Sequence, residues 1–159
     1  MKRVPFAEID GTPYREWWRD RFAPDPDPLA ALRFFRRGRN SVWVGSADVA
    51  GLASTRLDAV GLHLLRIGRR IWKPTSAAIV AFGDAAQTNF IELTRAEALA
   101  FLAGETLVPA HDDPRRVGLT RGFTAVRYGG VGLGCGEWHG EGVLHSLIPT
   151  SQRVAGLEV

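Results

Sequence analysis

Apolar positions along this chain change period several times, and each change predicts an element. In "TPYREWWRDRF", Trp17, Trp18 and Phe22 recur at helical spacing, with Thr12 suited to cap the helix and Pro13 to its first position. The helix must stop at "APDPDP", where three prolines in five residues remove donors and force extended backbone. "LRFFRRGRNSVWVGS" holds two β-rich runs around Gly38, Arg39 and Asn40, which predicts a hairpin. "LDAVGLHLLRIG" is apolar at most positions and reads as a strand buried on both faces, and after a basic turn Pro74 opens a helix through "TSAAIVAF" that Gly83 closes. "TNFIEL" is a short strand; Thr94 and Glu97 form a capping box for a helix that Gly104 ends. The mixed charges of "VPAHDDPRRVGLTR" predict a solvated loop. The final "GFTAVRYGGVGLGCGEWHGEGVLHSLIP" reads as three short strands joined at Gly129–Gly130 and at "HGEG". The sum is an α+β fold whose strands curl into a small barrel, with residues 1–55 as a helix-plus-hairpin extension and 56–159 as the main domain.

Length and composition fit that picture. The chain has 159 residues, 45% of them hydrophobic and 23% charged, which suits one compact domain able to close a core without cross-links. A single cysteine, Cys135, cannot form an internal disulfide and favours a reducing compartment. No apolar run approaches the roughly 20 residues of a membrane span, and the opening "MKRVPFAEIDGTPYREWW" lacks the apolar stretch of a signal peptide. The expected location is the cytoplasm, with no membrane partner.

Charge changes the picture more. Residues 33–73 carry nine basic side chains (Arg33, Arg36, Arg37, Arg39, Arg56, Arg66, Arg69, Arg70 and Lys73) against Asp48 and Asp58, a balance of +7 within a chain whose formal net charge is +3. Such asymmetry points to a polyanionic partner. Arginine supplies 18 of the 20 basic residues, and its planar fork suits phosphate and its face suits bases.

Catalytic motifs fail on context. The G-x-G-x-x-G-like spacing of "GGVGLGCG" sits in a glycine-rich hairpin rather than between a strand and a long helix, so close packing explains those glycines better than a dinucleotide. Cys135 shares a strand face with His139, and His145 follows nearby, but a lone cysteine among glycines reads as a small buried residue. His63, His111, His139 and His145 lack ligand spacing. The sequence therefore predicts no enzyme, no cofactor and no metal.

The basic clusters read better. "RFFRRGR" and "RIGRRIWK" alternate arginine with aromatic residues, the mixture that single-stranded nucleic acid meets on its binding surfaces. Phe34, Phe35 and Trp43 belong to the apolar side that a hairpin needs; Trp72 fits either core or stacking platform. Lys73 and Pro74 lead into a helix whose amides could receive phosphate.

In order, "GLHLLRIGRRIWKPTSAAIVAFG", "FIELTRAEALAFLAGE" and "GFTAVRYGGVGLGCGEWHGEGVLHSLIPTSQR" resemble the PUA-like domain at the C-terminus of Sun/Fmu-type RNA 5-methylcytosine methyltransferases. The likeness is closer to stand-alone, ribosome-biogenesis-type relatives. It covers roughly residues 14–153 and rests on the K-P-[ST] turn, the "L-x-G-E" helix end, the G-x-G hairpin and a "P…R" tail. The resemblance implies a PUA-like mixed β pseudobarrel with packed helices that binds structured rRNA or tRNA. It matches Arg69, Arg70, Lys73, Pro74 and Thr75 to the K-P-[ST] region and Ser146, Pro149 and Arg153 to the closing segment. It departs at Thr150, which stands after Pro149 where the family usually has lysine, and the chain lacks a methyltransferase domain. With the charge pattern, this places Arg36, Arg37, Arg39, Arg66, Arg69, Arg70, Trp72, Lys73, Thr75 and Arg153 at an RNA surface. The expected function is non-catalytic RNA binding in ribosome biogenesis or RNA modification, with ribosomal proteins or an RNA methyltransferase as further partners. The alternative is an adaptor whose basic face binds an acidic protein or a separate methyltransferase.

Overall fold

Glycine and proline punctuate the chain where the sequence placed them, and the elements between them assemble into two sheets. The structure, a computed structural model, describes residues 6–50 and 59–154. The first sheet holds five antiparallel strands in sequence order: β1 (Phe6–Ile9), β2 (Arg33–Arg37), β3 (Ser41–Gly45), β4 (Leu62–Ile67) and β5 (Trp72–Pro74). The second holds β6 (Phe90–Glu92), β7 (Gly122–Tyr128), β8 (Val131–His139) and β9 (Val143–Ser146), with β6 parallel to β7. Helix α1 (Thr12–Phe22) follows β1, α2 (Ala47–Ala50) follows β3, α3 (Ser76–Phe82) links the sheets, and α4 (Arg95–Leu102) follows β6.

The α+β architecture is as expected, with both sheets sharing one core as a pseudobarrel requires. Trp18 and Phe22 of α1, Leu64 and Leu65 of β4, Ile79 of α3, and Ala125 and Cys135 of the second sheet form one buried cluster. A second cluster lies under α4 (Ile91, Phe101, Val126, Trp138, Leu144), and a third covers the other face of the first sheet with Phe6, Phe35 and Val60. Leu64 and Leu65 are both fully buried in the first of these clusters because a β-bulge opposite Val42 and Trp43 interrupts the alternation of β4. Its other face carries half-buried His63 and exposed Arg66, so β4 is deeply buried on one side and not, as its apolar run predicts, on both. The first sheet runs through residues on both sides of position 55; residues 51–58 themselves lie outside the described residues.

Local chemistry explains most boundaries. Gly38 turns the β2–β3 hairpin at φ +64°, a conformation that costs other residues a steric clash. Gly132 of β8 approaches α3 so closely that a Cβ there would stand 2.2 Å from the Ile79 carbonyl oxygen. This is close packing, as read for the glycine-rich hairpin. The Thr94–Glu97 capping box is present at α4.

Three details differ from the sequence reading. Strand β1 was not foreseen, because four residues with one buried end carry almost no periodic signal; pairing with β2 creates it. Gly11, not Thr12, caps α1, and the Asp10 carboxylate accepts from the Thr12 amide (3.0 Å) and hydroxyl (2.7 Å). Pro74 ends β5 rather than opening α3, tolerable because β5 is an edge strand; Thr75 caps the helix instead, accepting from the Ala78 amide. The loop of residues 108–121 is largely exposed, as expected, and Arg115 anchors it by bridging Glu97 and Asp113.

Candidate nucleic-acid interface

Strand register decides which basic residues meet. Arg37 pairs with Ser41, Ser41 with Arg66, and Arg66 with Lys73, so three cations from β2, β4 and β5 stand in one cross-strand row. Directly paired residues share a face, and strands lie about 4.8 Å apart, so this row spans roughly 15 Å. Arg37 also lies over the Phe6 ring at 5.2 Å. The next row on that face contains Phe35, Trp43 and His63, the last two stacked at 4.7 Å and 9°.

Both arginine-rich turns lie at the same end of the sheet. β2 and β4 run in the same direction, so residues 38–40 and 68–71 emerge side by side, joined by the Ile67 amide donating to the Asn40 carbonyl at 2.9 Å. Arg39, Arg69 and Arg70 are exposed there. Arg36 donates to the Arg39 carbonyl at 2.7 Å, tying its side chain to the turn. Among the described residues, none of Arg39, Arg66, Arg69, Arg70 and Lys73 has a carboxylate partner.

A groove of about 310 Å³ continues from this row. It is lined by His63, Arg66 and Lys73 of the β4–β5 hairpin, by Thr75, Ser76 and Ala77 at the start of α3, and by Leu147, Pro149 and Gln152 of the C-terminal segment. Thr75 is bound into the fold: its hydroxyl donates to the His63 carbonyl while accepting from Ala78. His63 is half-buried, and its Nε2 engages the Leu65 carbonyl at 3.1 Å. Burial, aided by the charge of Arg66, lowers its pKa below the ordinary imidazole value despite that hydrogen bond, so the ring is neutral at pH 7.

The structure thus brings together Arg37, Arg39, Arg66, Arg69, Arg70, Lys73 and Thr75, with Arg36 beside the turn. It does not bring Trp72, which points to the opposite face, half-buried against Tyr14 at 5.0 Å. Arg153 also stands apart: its Nε donates to the Ile148 carbonyl and its guanidinium lies against Gly104. Sequence reasoning missed His63 and Gln152. His63 carried a weak signal as the residue three before Arg66 on the same strand, but only the β4 bulge opposite Val42 and Trp43 shows that both share a face.

Cys135 is fully buried, and burial pushes its thiol up to about 12 even though Lys73 draws it down. His139 and His145 are neighbours at 4.6 Å on the second sheet, their rings edge to face. No group of three or more histidine, cysteine, aspartate or glutamate residues among the described residues is placed to hold a metal. No helix among them is long and apolar enough to cross a membrane.

The match to a protein family falls on the second half of the chain. The family model described as the Methyltransferase RsmF PUA domain matches residues 88–154, which include β6–β9, α4 and the tail that forms one wall of the groove. Over 92 residues the chain is 33% identical to the ribosomal RNA small subunit methyltransferase F of Aeromonas hydrophila. It is 30% identical over the same length to the protein of that name from Aeromonas salmonicida. Each match takes in 58% of this chain and 18% of the relative, so the chain spans under a fifth of the length of these curated relatives. Residues 88–154 are therefore similar to the PUA domain of RsmF-type methyltransferases, in line with the C-terminal part of the resemblance that the sequence displays.

Proposed function

We propose that this chain is a non-catalytic RNA-binding module that holds structured rRNA or tRNA against the basic end of its five-stranded sheet. One observation carries the reading: two separate arginine-rich segments converge on one sheet end, and Arg39, Arg66, Arg69, Arg70 and Lys73 find no carboxylate there among the described residues. Unneutralised cations concentrated in this way favour a polyanion. The RsmF-type match supports RNA as that polyanion, since the relatives are named as ribosomal RNA methyltransferases. The non-catalytic role is supported by the restriction of the family match to the PUA domain and by the burial of Cys135. On this reading the chain acts in the cytoplasm in ribosome biogenesis or RNA modification, alone or alongside a methyltransferase.

The test is binding to rRNA fragments and total tRNA across a salt series. Each phosphate contact contributes about 0.7–0.9 to the slope of log K against log salt. An Arg66→Ala/Arg69→Ala/Arg70→Ala/Lys73→Ala variant that stays folded is expected to lose about 3 from that slope. If wild type binds no RNA at moderate salt, the basic end serves an acidic protein partner, and the RNA reading is wrong.

A further inference from the structure

We infer that the groove between the β4–β5 hairpin and the C-terminal segment seats a single unpaired nucleotide of the bound RNA. The inference rests on the RNA-binding reading and adds what the site selects. Its volume of about 310 Å³ falls at the lower end of the range for small-molecule sites, where one nucleotide fits and a stacked base pair does not. The walls differ in chemistry. Arg66 and Lys73, opposite each other across β4 and β5, form a cationic wall without carboxylates among the described residues. Leu147 and Pro149 form an apolar wall that suits the flat face of a base or sugar, and Gln152 supplies an amide for a base edge.

The groove's lining is held in place. The Thr75 hydroxyl ties the hairpin to α3, and Trp43 backs His63 by stacking on its ring. The His63 Nε2 is engaged with Leu65, while Nδ1 has no hydrogen-bond partner among the described residues. The occupant belongs to a chain rather than being a free nucleotide, because the cationic wall continues into the exposed turns that carry Arg39, Arg69 and Arg70, where flanking phosphates would lie. A continuous duplex would engage those turns but leave the groove empty, since its bases are paired and stacked inside the helix.

The test compares an RNA hairpin carrying a single-nucleotide bulge with the same hairpin fully paired, by fluorescence anisotropy with the full chain. Wild type is expected to favour the bulged RNA about tenfold, the scale of one well-seated base. Ala77→Phe and Gln152→Phe each fill the groove without altering charge; both are exposed positions, and folding is checked by thermal melting. Each should reduce the preference below about twofold and leave the salt slope unchanged, whereas Arg69→Ala/Arg70→Ala should lower the slope and keep the preference. Equal wild-type affinity for the two hairpins overturns the inference, as does a preference that survives in both filled-groove variants. So does displacement of the bulged RNA by about 1 mM mononucleotide, which would mark a free-nucleotide site. Wild type binding neither hairpin instead removes the RNA-binding reading from which the inference starts.

Discussion

Arg115 offers the most direct test of how the PUA-like portion is held together. Its guanidinium donates to both Glu97 oxygens (2.7 and 3.0 Å), to both Asp113 oxygens, and to the Glu92 carbonyl at 2.9 Å. Glu97 also accepts from the Thr94 amide, so one cation joins the α4 cap to β6 and the following loop. Hydrogen bonding to Arg115 lowers the Glu97 pKa from 4.5 to about 2 and that of Asp113 from 3.8 to about 2. For a fully shielded carboxyl the Glu97 change would represent about 3.4 kcal/mol. Glu97 keeps 27% of its side-chain surface in water, and screening brings the expected contribution down to about 1–2 kcal/mol. Arg115→Met should therefore lower the melting temperature by about 2–8 °C at pH 7. Because the folded pKa is depressed, the stabilisation is complete above pH 4.5 and is lost as pH falls through 2. Denaturant titrations at pH 7, 5 and 3 read the gap between wild type and variant, which should shrink to less than about half of its neutral value at pH 3. A melting temperature within 1 °C of wild type at pH 7, or a gap undiminished at pH 3, would refute the electrostatic account.

Two further outcomes follow from burial. Native Cys135 should react with an aromatic disulfide reagent at pH 8 at less than about a tenth of the rate seen in denaturant, because thiolate is the reactive form and the thiol is buried at about 12. Fast native reaction would reopen a nucleophilic role. A fragment of residues 59–159 should show no cooperative melt, since it lacks Trp18, Phe22 and β3 and so exposes Leu64 and Leu65. A cooperative transition in that fragment would instead mark residues 1–55 as a separable extension.

Elements whose boundaries rest on local chemistry were legible in the chain. The Thr94–Glu97 box, the Gly38 turn, the proline stop after Phe22 and the three C-terminal strands each depend on contacts within a few residues. The clustering of charge in residues 33–73 was equally plain, because composition needs no geometry. β1 and β5 were not legible: strands of four and three residues exist only through the partners that satisfy their backbone, and those partners are far away in sequence. Arg115 looked like a loop charge because Glu97 lies 18 residues before it.

The interface divides the same way. That "RFFRRGR" and "RIGRRIWK" are basic is written in the chain, as is the PUA-like order of its second half. That the two turns emerge at one end, that Lys73 and Trp72 face opposite sides, and that Pro149 closes a groove against Arg66 depend on sheet register and chain return. Register is set by non-local hydrogen bonds, and shifting it by one residue moves every side chain to the other face. Local pattern can therefore announce a charged surface, while only the paired strands settle which charges share it.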